Sequence, residues 1–282
     1  MRLPDWIKTK SPVDLHRTRQ VLRKHGLSTV CEEARCPNIG VCFSRPTATF
    51  MILGASCTRH CRFCSVESSS PLPPDHDEPR RVAMAARDMG LRYVVVTSVT
   101  RDDLPHGGAE HFAHTVRAVK DLLPGTRVEV LIPDFKGDPA ALGIVLSSGP
   151  DVVGHNVETI PGLYPSVRPE ADYERSLGVL RSVRAIAPRI RTKSGLMVGL
   201  GESFDAVVAL MRDLRSAGCE LLTIGQYLRP SKKNLPVVEY IHPSVFEKYR
   251  DVAYEIGFKG VASFPLARSS VNAEEMFLND VE

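Results

Sequence analysis

The sequence predicts an α/β fold, a partial (β/α)6 barrel of the TIM type. Short β-rich runs alternate with longer segments that carry apolar residues at helical spacing and end near Gly or Pro. This alternation is typical of repeated βα units around a parallel sheet. The candidate strands are residues 47–53, 93–98, 127–132, 151–157, 191–198 and 221–227, and the clearest crossover helices are residues 110–123, 172–187 and 204–217.

The loops after the predicted strands contain the most unusual residues of the chain. Three cysteines follow the first strand and Thr-Arg-Asp-Asp follows the second, while Glu158, Gly-Leu-Gly-Glu and Arg-Pro-Ser follow the fourth, fifth and sixth. In a parallel β/α architecture the catalytic and binding residues lie in the loops at the carboxyl ends of the strands. We therefore expect one functional rim on a barrel of residues 47–258, with residues 1–46 and 259–282 as extensions that cover the open rim.

Composition restricts the class of protein. With 282 residues and 43% hydrophobic content, the chain can bury a sizeable core in one large domain or two small ones. Its formal net charge of +3 predicts no nucleic-acid partner. No apolar run approaches the roughly 20 residues that span a bilayer, and the start lacks the apolar core of a secretory signal. We expect a cytoplasmic protein without a membrane segment.

Six of the seven cysteines are crowded into residues 31–64, which favours metal binding or redox chemistry. Cys57, Cys61 and Cys64 form C-x3-C-x2-C directly after the first strand. Three such thiolates can hold three corners of a cubane cluster and leave its fourth iron open to a substrate. Zinc is the alternative, but zinc sites usually pair cysteines as C-x2-C and need a fourth ligand, which His60 could only awkwardly supply.

A second set, Cys31, Cys36 and Cys42, forms C-x4-C-x5-C and has no obvious fourth ligand nearby. Cys219 stands apart in an apolar stretch. We expect its thiol to be a small buried hydrophobic group, because that is the usual role of an isolated cysteine.

These motifs resemble a known family. C-x3-C-x2-C, with Phe63 before its last cysteine, is the motif of the radical S-adenosylmethionine superfamily, and the spacing of the second set resembles the auxiliary-cluster motif of the lipoyl synthase family. The resemblance continues through nearly the whole chain, in TATFMILG (47–54), TSVTRDDL (97–104), VEVLIPDFKG (128–137), HNVET (155–159), KSGLMVGLGE (193–202) and the Arg-Ser-Ser of residues 268–270.

The resemblance implies two 4Fe-4S clusters and S-adenosylmethionine as cofactors. The implied ligands are Cys57, Cys61 and Cys64 for the radical S-adenosylmethionine cluster, and Cys31, Cys36, Cys42 and Ser270 for the auxiliary cluster. The implied contacts of S-adenosylmethionine are Phe63, Thr97, Ser98, Asn156, Glu158, Lys193 and Met197. No catalytic residue is implied beyond the clusters. Without the resemblance, two adjacent serines would indicate a solvated turn.

The implied activity is insertion of two sulfur atoms at carbons 6 and 8 of a protein-bound octanoyl-lysine, with the auxiliary cluster as sulfur donor. Those carbons carry no acidic hydrogen, so a cofactor-derived radical is required. The implied partners are octanoylated carriers (the H protein of glycine cleavage and the lipoyl domains of 2-oxoacid dehydrogenases), an electron donor such as ferredoxin or flavodoxin, and an iron–sulfur cluster carrier. Arg168, Lys232 and Lys233 are expected to receive the acidic carrier surface.

Three residues depart from the family pattern. Val271 replaces a tyrosine, Phe264 stands where glycine is common, and His106 replaces an acidic residue, while all seven implied cluster ligands remain. The competing interpretations are a methylthiotransferase with an auxiliary cluster, a ferredoxin-like electron carrier and a zinc-stabilised binding protein. We see no appended RNA-binding module, and ferredoxins are shorter.

Overall fold

The computed structural model describes residues 3–7, 16–44 and 49–278. The chain forms two units. The first comprises Thr9–Arg59 and Ser65–Val153, and the second comprises Met1–Lys8, His60–Cys64 and Gly154–Glu282. The predicted boundary between residues 46 and 47, and the first two residues of the first predicted strand, lie outside the described residues. The predicted division into a barrel with two extensions therefore stays a prediction.

The first unit contains a mainly parallel sheet with helices between its strands. The strands are β1 (Ser28–Thr29), β2 (Thr49–Ile52), β3 (Ser56–Cys57), β4 (Glu67–Ser68), β5 (Tyr93–Ser98) and β6 (Arg127–Leu131), and the helices are α1 (His16–Lys24), α2 (Val30–Glu33), α3 (Ile39–Ser44), α4 (Glu78–Met89), α5 (Ala109–Leu122) and α6 (Pro139–Ser147). The sheet order is β1-β2-β5-β6, with only β1 antiparallel to its neighbour. β3 and β4 pair separately, in parallel.

Local sequence explains where these elements begin and end. α4 ends at Gly90, whose φ of 68° lets its amide bond the carbonyls of Ala86 and Arg87. α6 begins at Pro139, behind an Asp138 side chain that accepts a hydrogen bond from the Ala140 amide. The four central residues of β5 are all buried, as expected for a parallel strand covered on both faces.

The second unit repeats the α/β pattern. After β7 (Val152–Gly154), where the chain passes from one unit to the other, its elements are α7 (Tyr164–Val167), α8 (Tyr173–Ile186), β8 (Arg191–Val198), α9 (Phe204–Ser216), β9 (Leu221–Gln226), α10 (Pro243–Ile256), β10 (Gly260–Ser263) and α11 (Ala273–Leu278). β8, β9 and β10 are parallel neighbours. Their apolar faces share a core with α8, α9 and α10 that includes Leu180, Met211, Ile224 and Phe246.

The predicted crossover helices are confirmed, since α5, α8 and α9 begin and end within one residue of the predicted ranges. The predicted strand at 151–157 is shorter in the structure, at Val152–Gly154. β10 was not predicted, because its Gly260, Val261, Ala262 and Ser263 contain too few β-branched or aromatic residues to stand out. Within the described ranges, every helix is too short or too polar to cross a membrane.

The chain leaves β2 through a constrained turn at Leu53, whose φ of 68° lies in the left-handed region. The Leu53 amide donates to Glu78 Oε2 at 2.8 Å, and its carbonyl accepts from Arg101 Nη1 at 3.1 Å. His111 Nε2 lies 2.7 Å from the same Glu78 oxygen. A Cβ on Gly108 would lie 2.6 Å from Leu53 Cδ1, so glycine is required there. These contacts set the direction of the loop that contains Cys57.

Replacing Glu78 with alanine tests this turn. Glu78→Ala leaves the buried Leu53 amide and the His111 ring without their acceptor, so we expect the free energy of unfolding to fall by about 2–4 kcal/mol. Urea unfolding followed by circular dichroism measures the change. Asp121→Ala, at an exposed position of α5, is the matched control and should change stability by less than about 0.5 kcal/mol. Equal stability of the two variants would contradict this account.

Candidate functional site

The turn after Cys57 is hydrogen-bonded to the loop that follows β5. The amide and hydroxyl of Thr58 both donate to the Thr100 carbonyl at 3.0 Å. The same hydroxyl accepts from the Asp102 amide at 3.1 Å. The Arg59 amide donates to Cys57 Sγ at 3.5 Å. The loop after the second predicted strand therefore positions the first cysteine of the C-x3-C-x2-C set.

The Arg59 side chain is 5% exposed and joins two carboxylates of the first unit. Its Nε lies 2.7 Å from Asp102 Oδ2, and its Nη2 lies 2.6 Å from Asp134 Oδ1. Burial opposes the charged form, but the two carboxylates outweigh burial and raise the pKa of Arg59 above its ordinary value. Arg59 is therefore a permanent cation. The adjacent loop is held by Arg101, which is buried and pairs with Asp103 at 2.8 Å.

The turn that contains Cys61 and Cys64 is held within the second unit by the loop after β9. The Cys64 amide donates to the Cys61 carbonyl at 3.1 Å. The Leu235 amide donates to the Arg62 carbonyl at 3.1 Å, and Asn234 Nδ2 donates to the Cys64 carbonyl at 2.7 Å. The residues after Arg-Pro-Ser thus fix the conformation of the cysteine turn. The sequence indicated that the loops after the strands are functional, and this contact is a specific role for one of them.

His60, the alternative zinc ligand, is an exposed side chain with a carboxylate partner. Its Nδ1 lies 3.0 Å from Glu170 Oε1, and its amide donates to Glu170 Oε2 at 2.6 Å. An imidazole held by a carboxylate in this way serves the local fold of the loop. Histidines that bind zinc also contact a carboxylate through their second ring nitrogen, so the choice between iron and zinc rests on the cysteine spacing.

Cys31, Cys36 and Cys42 lie together in the first unit. The Cys36 amide donates to the Cys31 carbonyl at 3.0 Å, and α1 holds the segment through a bond of 3.0 Å from the Thr18 hydroxyl to the Phe43 carbonyl. Burial, with smaller contributions from negative charge on Cys36 and Cys42, raises the pKa of Cys31 to about 12. The three thiols therefore disfavour one another's ionisation in the absence of a metal.

The chemistry of these donors fits iron–sulfur clusters. Cysteine sulfur is a soft ligand that selects iron–sulfur clusters or zinc over hard cations. In the part of the chain that the structure describes, no three His, Cys, Asp or Glu side chains are already gathered in a metal-binding arrangement. Thiols bind metal only as thiolates, so metal-ligand geometry forms together with the metal. The seven assigned cluster ligands, including Ser270, stay predictions.

Asn156, Glu158 and Ser269 form a polar group in the second unit. Asn156 Nδ2 lies 3.1 Å from Glu158 Oε1 and 2.9 Å from Ser269 Oγ. Glu158 has a φ of 66°, which is strained for a residue with a side chain. Burial raises the pKa of Glu158, and the charges of Arg168 and Arg268 oppose the shift without cancelling it. A strained carboxylate with two cations nearby is typical of a ligand-binding site.

Phe63 and Met197, two predicted cofactor contacts, pack against one apolar cluster. Its buried members are Val167, Leu200 and Tyr227, all in the second unit. Cofactor pockets are lined mainly by apolar and aromatic side chains with a few polar groups. The second unit thus contains both kinds of surface that an adenosyl cofactor requires.

The remaining predicted cofactor contacts differ in how accessible their polar groups are. The Thr97 hydroxyl donates to the Leu131 carbonyl at 2.9 Å. Ser98 Oγ is buried and has no hydrogen-bond partner among the described residues, and a polar group of a bound ligand would satisfy it. Lys193 lies on β8 and is 1% exposed, with its carbonyl accepting from the His155 amide at 3.0 Å.

The expectation that Arg168 receives an acidic partner is wrong. Arg168 is buried, its Nη1 donates to the Asn156 carbonyl at 2.8 Å, and its guanidinium lies 5.3 Å from the Tyr164 ring centroid. It therefore supports the Asn156–Glu158 segment from inside. Lys232 and Lys233 are exposed, as that expectation requires.

Sequence reasoning also missed the roles of Ser269, Arg268 and Asn234. Only the first two had a signal, because they adjoin Ser270 in the Arg-Ser-Ser motif. Two residues that depart from the family pattern lie in local hydrogen-bonded segments, Val271 through a backbone amide that a tyrosine would also supply and His106 through its side chain. The Val271 amide donates to the Arg268 carbonyl at 2.9 Å and closes the turn that contains both serines. His106 lies 2.7 Å from Asp138, which raises the pKa of His106.

The glycines after and within β8 make room for the protein's own groups. A Cβ on Gly195 would lie 2.9 Å from Asn156 Oδ1 and 3.1 Å from Ser269 Oγ. Gly199 has a φ of 99°, and a Cβ there would collide with the Gln226 side chain. The absence of a side chain at Gly195 allows Ser269 to pack directly on β8, and its absence at Gly199 makes room for the Gln226 side chain.

Comparison with known proteins identifies relatives across the whole chain. A model described as the Radical SAM superfamily matches residues 51–214, and one described as the N-terminal domain of lipoyl synthase matches residues 1–36. The lipoyl synthase of Caldanaerobacter subterraneus subsp. tengcongensis is 56% identical over 97% of this chain and 96% of its own length. That of Haemophilus influenzae strain KW20 is 50% identical over 97% of this chain and 87% of its own length.

Solved structures resemble the chain in fold. Methylornithine synthase matches with a TM-score of 0.56 at 14% identity, over 95% of this chain and 80% of its own. The hydrogenase maturase HydG matches with a TM-score of 0.57 at 16% identity, over 86% of this chain and 65% of its own. Together with the superfamily match, they confirm the predicted α/β fold of the partial-barrel type.

Gly195→Ala tests the packing of Asn156 and Ser269 on β8. The added methyl group must displace both side chains, so we expect the free energy of unfolding to fall by about 1–3 kcal/mol. Gly178→Ala is the matched control, since a Cβ at that position in α8 meets no atom within 4 Å. The control should gain up to about 1 kcal/mol from helix propensity. If urea unfolding showed both variants equally stable, Gly195 would not be packed as described.

Proposed function

We propose, since the chain belongs to the lipoyl synthase family of radical S-adenosylmethionine enzymes, that it inserts two sulfur atoms at carbons 6 and 8 of a protein-bound octanoyl-lysine. The observation that carries the proposal is 56% identity to a lipoyl synthase over 97% of the chain. The presence of both cysteine sets supports it, because one set alone would supply only one cluster.

Cys57, Cys61 and Cys64 hold the radical S-adenosylmethionine cluster in this proposal, and Cys31, Cys36, Cys42 and Ser270 hold the auxiliary cluster. When bound, the first cluster and S-adenosylmethionine supply the radical chemistry that unactivated C–H bonds require, and the auxiliary cluster supplies the sulfur. What supports the first assignment is the set of hydrogen bonds that fix the Cys57 and Cys61–Cys64 turns. The electrostatic coupling of Cys31 to Cys36 and Cys42 supports the second.

The cofactor-binding residues have complementary tasks. Phe63 and Met197 offer apolar surface to the adenosyl part, while Asn156 and Glu158 offer an amide and a carboxylate to its hydroxyl or amino groups. Ser98 presents a buried hydroxyl that has no partner among the described residues. Thr97 and Lys193 complete the set, as the family resemblance implies. Binding the cofactor in this way would also exclude water from the reacting atoms.

The protein acts on lipoyl carriers, and the family resemblance implies the finer partners. The substrates are the octanoylated H protein of glycine cleavage and the lipoyl domains of 2-oxoacid dehydrogenases. Ferredoxin or flavodoxin supplies the electron, and an iron–sulfur carrier rebuilds the auxiliary cluster. The reaction takes place in the cytoplasm, where cysteines remain reduced and available to iron.

Cysteine variants test the two-cluster assignment. After anaerobic reconstitution, we expect about eight irons per chain and no zinc. Cys36→Ala should keep about four irons and still cleave S-adenosylmethionine, but add no sulfur. Cys61→Ala should keep about four irons and lose both reactions. Iron analysis and mass spectrometry of an octanoylated carrier peptide, which gains two sulfurs and loses two hydrogens, measure these outcomes.

Cys219→Ala is the matched control, because that thiol is buried in the apolar core of the second unit, as predicted. It should retain the iron and the activity of the wild-type protein. Sulfur insertion by Cys36→Ala, or a zinc content equal to the iron content, would contradict the proposed function.

Charge reversal at Lys232 tests the carrier surface. Lys232→Glu should weaken binding of an acidic octanoylated carrier about three- to tenfold at low salt, with a smaller effect at high salt. Lys248→Glu, at an exposed position of α10, is the matched control and should bind normally. Calorimetry at two salt concentrations measures the difference. Equal affinities of the two variants would place the carrier on another surface.

A further inference from the structure

A set of charged side chains is joined, through Arg59, to the turn that contains Cys57 in the first unit. Arg59, two residues after Cys57, is bound by Asp134 Oδ1 at 2.6 Å and by Asp102 Oδ1 and Oδ2 at 3.0 and 2.7 Å. The Asp134 side chain has no exposed surface, and the Asp102 side chain is 21% exposed. The amide of Arg59 also donates to Cys57 Sγ at 3.5 Å. Arg59 therefore connects both carboxylates to the turn that contains the sulfur.

The network carries more negative than positive charge. Two carboxylates contact one guanidinium, so these three side chains together carry a net charge of −1, with Asp134 fully buried and Asp102 partly exposed. Lys136 also reaches this region, with its Nζ 3.3 Å from the Asp102 carbonyl, but its side chain is exposed and its charge is screened by water. A buried charge has a much stronger effect on its neighbours than an exposed one.

We propose that Asp134 and Asp102 lower the reduction potential of the iron–sulfur cluster held by Cys57, Cys61 and Cys64. This inference rests on the proposed function, because it needs a cluster at those cysteines. One-electron reduction adds negative charge to the cluster, and a buried excess of negative charge nearby opposes that step. The reduced cluster is then a stronger reductant. Arg59 is positively charged, so it raises the reduction potential and makes the lowering by the two carboxylates smaller.

The electrostatic role predicts a sign for each substitution. Asp134→Asn removes one negative charge but keeps Oδ1, the oxygen that accepts from both Arg59 and the Lys136 amide. Asp102→Asn removes the same charge at a more exposed position. Both variants should shift the midpoint potential to less negative values. Arg59→Gln removes the positive charge and should shift the potential to more negative values. A purely structural role predicts no such change of sign.

The test is an anaerobic potentiometric titration of the full chain with both clusters, followed by electron paramagnetic resonance. The signal that changes when S-adenosylmethionine is added reports the cluster at Cys57, Cys61 and Cys64. At a fixed ambient potential, the two aspartate variants should show a larger reduced fraction than the wild-type protein.

Asp151→Asn is the matched control. Asp151 is also a partly buried, ion-paired carboxylate of the first unit, with Lys120 at 3.0 Å and Arg127 at 2.8 Å. It lies by the amino end of β6, whereas Asp134 follows the carboxyl end, so its removal should leave the potential unchanged.

Two results overturn the inference. One is an unchanged or more negative potential in both Asp134→Asn and Asp102→Asn with iron content retained. The other is loss of the S-adenosylmethionine-responsive signal in both, which would make the carboxylates structural supports. A wild-type protein without that signal would count against the proposed function itself, so the two failures are distinguishable.

Discussion

A loop of three cysteines cannot shape itself, because it has no core of its own and its thiolates repel one another. Its conformation here comes from hydrogen bonds to the loops at the ends of parallel strands. Thr58 and Arg59 bind the loop after β5, and Arg62 and Cys64 bind the loop after β9. Within each unit, the sheet and its helices hold the strand ends in place. The conformation of each cysteine turn therefore depends on hydrogen bonds to residues far away in the sequence.

Positive and negative charges are balanced differently around Arg59, Glu158 and Cys31. Around Arg59, two carboxylates exceed one cation. Around Glu158, two arginines face one carboxylate. Around Cys31, burial and neighbouring thiolates disfavour ionisation until a metal supplies positive charge. In the proposed function, these three regions would meet an added electron, a polar ligand and a metal cluster, respectively.

The features that sequence could predict are those encoded over many residues. The alternation of strands and helices is one, since α5, α8 and α9 each bury a full apolar face. The spacing of the cysteines is another. The direction of a single side chain is not encoded in this way: Arg168 has the same local signature whether it points to solvent or to the Asn156 carbonyl. The left-handed turn at Leu53 could not be predicted from the sequence either, because leucine rarely adopts that backbone conformation.

The bond from Asn234 to the Cys64 carbonyl joins residues 170 positions apart in the chain. By contrast, Cys31, Cys36 and Cys42 are braced by α1 and by β1 pairing with β2, all within residues 16–52. A ribosome makes the chain from its N-terminus, and a segment can adopt its fold only when its partners exist. The N-terminal cysteine set can therefore be shaped early in synthesis, whereas the Cys61–Cys64 turn must wait until most of the protein has been translated.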